Sequence, residues 1–324
     1  MTAALREPAA RRIRRIGRIN PSYLALLALL AAIAWITPTI LEPAGFMSFL
    51  RRGAPLAVVA SGQLFVIVVG GFDLSVGSLM TLTVMGSALL INNDPEKTWW
   101  VIGAMYGIGL VAGLVNGLVV TYLKVPSIIA TLGALLSIKG IALAWSGGSP
   151  QGYLPENFRQ FGRLSWHDLP VIDVLPLAVI VLVAVVAFFA WLMHGTNFGR
   201  LALVVGDNAR AAALAGVPVR LVRIFAFVLS ALSAVTAGIL IGGFSGVSTD
   251  AGEGFELQAI AATVLGGAQL LGGRGSVPGA VSGAFTLTAL FTLLNLLGLP
   301  KPLRDAVQGL ILIAAVAYSM RRLG

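Results

Sequence analysis

The chain has 324 residues, 57% of them hydrophobic and only 11% charged. Soluble domains carry about 25% charged residues, and a single core of this size could not hide so much apolar side chain, so a soluble globular fold is excluded. There is no cysteine and there are two histidines, His167 and His194, which also excludes disulfides, thiolate metal sites and a multi-histidine centre.

A net charge of +9 would suggest nucleic acid in a soluble protein. Here the basic residues cluster at the ends of apolar runs, which is an orientation signal of membrane proteins. No nucleic acid, metal or cofactor is therefore expected.

Residues 1–21 form a basic segment holding Arg6, Arg11, Arg12, Arg14, Arg15 and Arg18. The apolar run 22–41 follows. Without a small-residue cleavage site before Glu42-Pro43-Ala44-Gly45-Phe46, it reads as an uncleaved first span. Nine further apolar segments lie at about 54–70, 75–91, 99–123, 126–146, 174–193, 222–243, 256–270, 277–297 and 303–320. A full span needs about 20 residues, so the second, third and eighth, which are short and interrupted by glycine, are expected to be broken or tilted. The expectation is an all-α polytopic membrane protein with about ten transmembrane helices over 22–320 and a short cytoplasmic tail, 321–324.

Alternating the spans from a cytoplasmic N-terminus places Lys124, Arg200, Arg210, Arg220, Arg223, Arg274, Arg321 and Arg322 inside, together with the N-terminal arginines. Arg51, Arg52, Lys97, Arg159, Arg163, Lys301 and Arg304 fall outside. This two-to-one bias predicts that both termini are cytoplasmic. The connection 147–173 is then external and 194–221 cytoplasmic.

Two patterns recur. Gly71-Phe72-Asp73-Leu74 returns as Gly254-Phe255-Glu256-Leu257, and a ladder at Gly109, Gly113 and Gly117 returns at Gly275, Gly279 and Gly283. Four-residue spacing puts each ladder on one helix face, where small residues let backbones approach. The paired patterns fall in oppositely directed positions, so 54–146 and 222–320 are expected to be halves of inverted topology, as in transporters. The repeat leaves the energy source open: ion-coupled and ATP-driven transporters both use it.

The stretch Gly70-Gly71-Phe72-Asp73-Leu74-Ser75-Val76-Gly77-Ser78 interrupts an apolar region. Paired glycines permit backbone geometry that a continuous helix resists. Asp73 and Ser75 are positioned to cap free amides, so Asp73 is expected as a cap or gate element in preference to a solute ligand. A second stretch, Thr196-Asn197-Phe198-Gly199-Arg200, leads to Val205-Gly206-Asp207-Asn208-Ala209-Arg210-Ala211-Ala212-Ala213-Leu214-Ala215-Gly216-Val217. Asn208 can cap a helix there, the alanines favour one and Gly216 can end it. A third runs from Gly254 through Gly266-Gly267 to Gly272-Gly273-Arg274-Gly275, and a fourth is Lys124-Val125-Pro126-Ser127-Ile128-Ile129-Ala130-Thr131-Leu132-Gly133.

These four ordered stretches resemble the sugar-type permeases of ATP-binding-cassette importers, the ribose, xylose and galactose branch, related to the branched-chain amino-acid permeases. The likeness covers nearly all the chain after about residue 45. Isoleucine is common in that family where this chain has Phe72, a conservative departure. The resemblance implies a multi-pass inner-membrane permease subunit for a small polar solute, expected to be a monosaccharide. It implies alternating access driven by a separate ATPase subunit, an extracytoplasmic solute-binding protein and a second permease copy, either a homodimer or a heterodimer. It also places the ATPase-coupling helix at Asn208, Ala211, Ala212 and Gly216. The chain has no Gly-x-x-x-x-Gly-Lys-Ser/Thr phosphate loop, and no catalytic residue is expected.

Polar groups within spans are costly and usually face the protein interior or a water-filled path. Gln63, Asn116, Lys139, Glu256, Asn295 and Gln308 are such residues. Lys139 is close enough to the outer end of its span to snorkel. Asn116 could bond across helices or meet a sugar hydroxyl. Gate and pathway candidates are thus Gly70, Gly71, Asp73, Ser75, Asn116 and Glu256.

Overall fold

The computed structural model describes residues 21–167, 173–300, 302–304, 306, 307, 309–311 and 313. The basic N-terminal arginines, Gln308, the C-terminal tail and much of the tenth expected span lie outside the described residues.

Helix α1 (Pro21–Ile36) is followed by a 3-10 turn (Pro38–Leu41) and α2 (Pro43–Val68). Next come α3 (Val76–Ile91), α4 (Thr98–Tyr122) and α5 (Ser127–Trp145). A connection carries α6 (Glu156–Arg163) and a two-stranded antiparallel hairpin, β1 (Ser165–His167) with β2 (Val174–Pro176), in which Trp166 faces Leu175. Then follow α7 (Leu177–Gly195), α8 (Asn197–Asp207), α9 (Ala209–Leu214), α10 (Val219–Ser245), α11 (Phe255–Leu265) and α12 (Val277–Leu296).

Five helices among the described residues, α4, α5, α7, α10 and α12, are long and apolar enough to cross a membrane, and α1, α3 and α11 are shorter apolar helices. The chain is thus a mostly helical polytopic protein. The 11 residues of α11 rise about 16 Å, roughly half the hydrocarbon thickness, so the eighth segment is a half-helix.

Two boundaries differ from expectation. The second segment begins at Pro43, not near 54, because α2 runs through Pro55 and carries Arg51 and Arg52 within it. Arg51 is accommodated there by its guanidinium, which lies 5.3 Å from the Phe244 ring centroid. The connection 147–173 is also more structured than a plain loop. Amphipathic α6 buries Phe158 and seats Gly162 against the Gly243 backbone of α10.

The centre of the fold is the pair α2 and α10, which pack on each other. Around them the contacts cross over: α3 and α4 pack on α10, whereas α11 and α12 pack on α2. Buried apolar side chains fill this centre, including Leu64, Phe65, Ile67 and Phe227. The first glycine ladder makes the α4–α10 contact. A methyl group at Gly113 would stand 2.7 Å from Val228 Cα, and one at Gly117 2.8 Å from Ile224 Cα. Only glycine allows so close an approach of two helix backbones.

The second ladder departs from the expected single helix face. Gly275 precedes α12 and faces Leu64 of α2, while Gly279 and Gly283 lie against Gly266 and Ala262 of α11. The two ladders therefore serve different partners. The reason is that α11 ends at Leu265 and the chain turns there on positive-φ Gly267, Gly272 and Gly273 before α12 begins.

Candidate functional site: a broken helix and its neighbouring junction

Between α2 and α3 the chain leaves the helix while still inside the protein. Gly70 turns it with φ +80°, and Gly71 N–H donates back to Val66 O at 2.8 Å. From Phe72 to Leu74 the backbone has no helical partners of its own. In a membrane such groups must be satisfied by protein. Phe72 N–H donates to Ser127 Oγ (3.1 Å), and Thr131 Oγ1 donates to Phe72 O (3.2 Å). With the side-chain amide of Gln63 oriented by its hydrogen-bonding surroundings, its nitrogen donates to Asp73 O (3.2 Å) and its oxygen accepts from Asp73 N–H (3.1 Å). Gln63 thus acts as a substitute peptide group. Three side chains from α2 and α5 hold open a break that the glycines make possible.

Asp73 is fully buried. Its Oδ1 accepts from Ser75 N–H at 3.0 Å and from Ser75 Oγ at 2.6 Å, which caps the start of α3. Ser75 was expected to cap as well, but its hydroxyl makes no cap bond to the helix. It accepts instead from Asn116 Nδ2 of α4 at 2.9 Å. Asp73, Ser75 and Asn116 therefore form one buried chain of hydrogen bonds linking the break to the glycine-ladder helix. The network is not fully satisfied: Asp73 Oδ2 is buried without a hydrogen-bond partner among the described residues.

The second acidic motif comes to the same place. Gly254 has φ +83° and Glu256 lies in the first turn of α11, half-buried. Its carboxylate rests against Gly77, two residues into α3, where any Cβ would collide with Oε2. Alongside, Gly252 N–H donates to Thr81 Oγ1 of α3 at 3.0 Å. The starts of α3 and α11 thus meet through backbone and two glycines. Lys139 lies half-buried on α5, six residues before its end at Trp145.

The stretch expected to couple to the ATPase sits at the same end of α2, beside the break. Asn208 Oδ1 accepts from Ala211 N–H at 2.9 Å, capping α9, and Gly216, with φ +82°, ends it. Ala211 is exposed, but Ala212 is only 2% exposed and packs inward. Ala212, expected on a docking face, is thus in the seat of α9; Leu214, at 85% exposure, is on the open face. Just before α9, Gly206 presses on Val68 O and the Gly273 amide, and Gly273 N–H donates to Val68 O at 2.9 Å. The segment leading into α9, the end of α2 and the third stretch meet at this point.

A cavity of about 280 Å³ lies between α2, α11 and α12. Phe255, Gln258, Thr292, Asn295 and Arg304 are among its walls, and Arg304 donates to Asn295 Oδ1 at 3.1 Å. Rings, amides and hydroxyls in one wall are groups that suit a polyhydroxylated solute.

Both acidic motifs lie at helix starts, but the side chains that hold them were not legible in the sequence. Ser127 and Thr131 stood in the fourth stretch, four residues apart on one face of α5, yet nothing local told that they bind Phe72. Gly77, Gly206 and Gly252 were hidden among 39 glycines, because only a neighbour's position distinguishes a contact glycine from a spacer.

Residues 45–316 match the family described as branched-chain amino acid transport system / permease component. The autoinducer 2 import system permease protein LsrC of Escherichia coli (strain SMS-3-5 / SECEC) is 36% identical over 82% of this chain and 76% of its own length. The K12 / DH10B protein of the same name is 38% identical over the same shares. The ribose import permease protein RbsC of Bacillus subtilis (strain 168) is 34% identical over 90% of this chain and 89% of its own. No solved structure matches.

Proposed function

The chain belongs to this permease family, and on that premise we propose that it is the membrane-spanning subunit of an ATP-driven importer for a small polar solute of the monosaccharide class. The carrying observation is the likeness to ribose and autoinducer 2 import permeases over more than four-fifths of the chain. The protein is a multi-pass membrane subunit that works with a separate ATPase and a solute-binding protein. ATP hydrolysis belongs to the partner, in keeping with the absence of a phosphate loop.

Residues 54–146 and 222–320 act as inverted halves, supported by the crossed packing of α3 and α4 on α10 and of α11 and α12 on α2. About ten spans with both termini cytoplasmic complete the arrangement. Asp73, Ser75, Asn116 and Glu256 form the gate where the halves meet, with Gly70 and Gly71 as its hinge. Asn208, Ala211, Ala212 and Gly216 form and seat the coupling helix, and Gly206 and Gly273 pass its movement to α2. The cavity beside Phe255 lies on the solute route.

A second copy packs on α5. This helix buries only 11% of its apolar window, against 78% for α10, and Gly133 and Gly140, seven residues apart on it, have no neighbour within 4 Å. Small residues left bare on one face suit a close helix partner.

Reconstitution into proteoliposomes with and without the ATPase tests the energy source. Uptake that depends on the ATPase and on a sugar-loaded binding protein is expected. Uptake driven by an ion gradient in its absence would establish the ion-coupled alternative instead.

A further inference from the structure

At the cytoplasmic end of α4 a cavity of about 480 Å³ opens between the α4–α5 elbow, the start of α10 and α9. Its walls carry Lys124, Arg220 and Arg223 and no carboxylate. The ion pair found among the described residues is Lys97–Asp94, so none of the three cations is neutralised by a described acid within salt-bridge distance. The guanidinium of Arg220 is held over the Tyr122 ring at 5.1 Å. Lys124 occupies the left-handed region with φ +57°, a conformation a side-chain-bearing residue adopts at some cost.

Orientation alone accounts for exposed cations at a membrane face. It does not account for Arg223, half-buried one turn further into α10. Nor does it account for three cations converging on one half-open cavity whose remaining walls include Gly70, Gly71 and Ser127. Guanidinium forks and an ammonium arranged without a counter-charge match a group with several anionic oxygens. The volume falls in the range of small-molecule sites.

We propose that this cavity binds a phosphate group, carried by a small cytoplasmic phosphomonoester or by an anionic lipid headgroup. Bound there, the phosphate bridges the elbow and α10 and contacts the wall that contains Gly70 and Gly71 of the broken helix and Ala209 and Ala213 of α9. Occupancy therefore ties the coupling stretch to the hinge.

The test uses the full chain with its ATPase, in nanodiscs of pure phosphatidylcholine and of phosphatidylcholine with phosphatidylglycerol. Inorganic phosphate and glucose 6-phosphate are titrated while thermal stability is followed, and bound lipid is read by native mass spectrometry. Saturable stabilisation by a soluble phosphate identifies a free ligand; phosphatidylglycerol retained by the complex without that response identifies a headgroup. In either case Arg223→Gln should weaken binding about tenfold, as loss of one charge-assisted contact does, and Arg163→Gln on α6 should not. Lys124→Gln, on the exposed elbow, gives the same reading if Arg223→Gln does not fold. The proposal is overturned if neither probe binds, or if both variants bind like the parent. It is also overturned if Arg223→Gln only releases the ATPase, since the cavity would then receive an acidic side chain of that partner.

Discussion

Gly77 of α3 lies against the carboxylate of Glu256 in α11, so the helix that follows the first acidic motif and the acidic residue of the second leave no room between them for a methyl group. Because the Gly252 carbonyl oxygen lies 2.6 Å from where the alanine methyl group would stand, replacing Gly77 with alanine must push the helix starts apart. Gly77→Ala should destabilise the protein by about 1–3 kcal/mol, as overpacking of a filled site does, and should abolish uptake. Glu256→Gln keeps the shape and should keep the fold. A Gly77→Ala protein that melted and transported like the parent would rule out this contact as the meeting point of the halves.

The glycine ladder offers an internal control. Gly113 is pressed on Val228 Cα, whereas Gly107, also on α4, has nothing within 4 Å. Gly113→Ala should cost about 1–3 kcal/mol, while Gly107→Ala should be neutral or slightly stabilising because alanine favours a helix. Thermal melts in detergent compare the two directly; equal effects would mean that α4 and α10 are not in backbone contact.

Gln63 is the side chain on which the broken backbone most depends. Gln63→Leu strands the Asp73 N–H and carbonyl, each at a cost of about 1–3 kcal/mol when buried. Hydrogen exchange by mass spectrometry should show faster exchange over 66–76 than over α10. Unchanged protection in that peptide would remove Gln63 from this role.

On the coupling stretch, exposed Leu214 and buried Ala212 should respond differently. Leu214→Glu should leave the permease's own melting unchanged and reduce ATPase association. Ala212→Glu should first lower thermal stability, because a charge enters an apolar seat. If Leu214→Glu retained full association and full transport, α9 would not present its open face to the ATPase.

Orientation can be read without removing any native thiol, since the chain has no cysteine. Gln160→Cys should react with an impermeant maleimide from outside the cell, and Arg210→Cys only from the cytoplasm. Labelling of both from one side would reject the proposed topology.

Much of the fold was legible because the bilayer imposes a length on apolar runs. The ends of α4, α5 and α12 fall within a few residues of their apolar limits. The start of α2 did not, because Arg51, Arg52 and Pro55 look like a boundary until Phe244 is seen beneath the guanidinium. The acidic motifs were visible as departures from apolar periodicity. Two of their partners were not: Ser127 and Thr131 are ordinary helix residues until the broken backbone at Phe72 supplies a donor and an acceptor. Ala212 shows the same limit, since a run of alanines has no intrinsic inner face.

The shortness of α11 bears on how the protein is made. A helix rising about 16 Å cannot cross the hydrocarbon unaided, so its entry into the membrane is not autonomous. It must be drawn in with α10 and α12 and find a waiting surface on α2. One bond that ties it to α2, Thr263 Oγ1 to Ala60 O at 3.1 Å, closes across 203 residues of chain. During synthesis α2 therefore spends the time needed to translate most of the protein with this flank uncovered. Biogenesis of the second half then depends on the first half remaining open to receive it, and a chain released before α12 would leave α11 without a stable place in the bilayer.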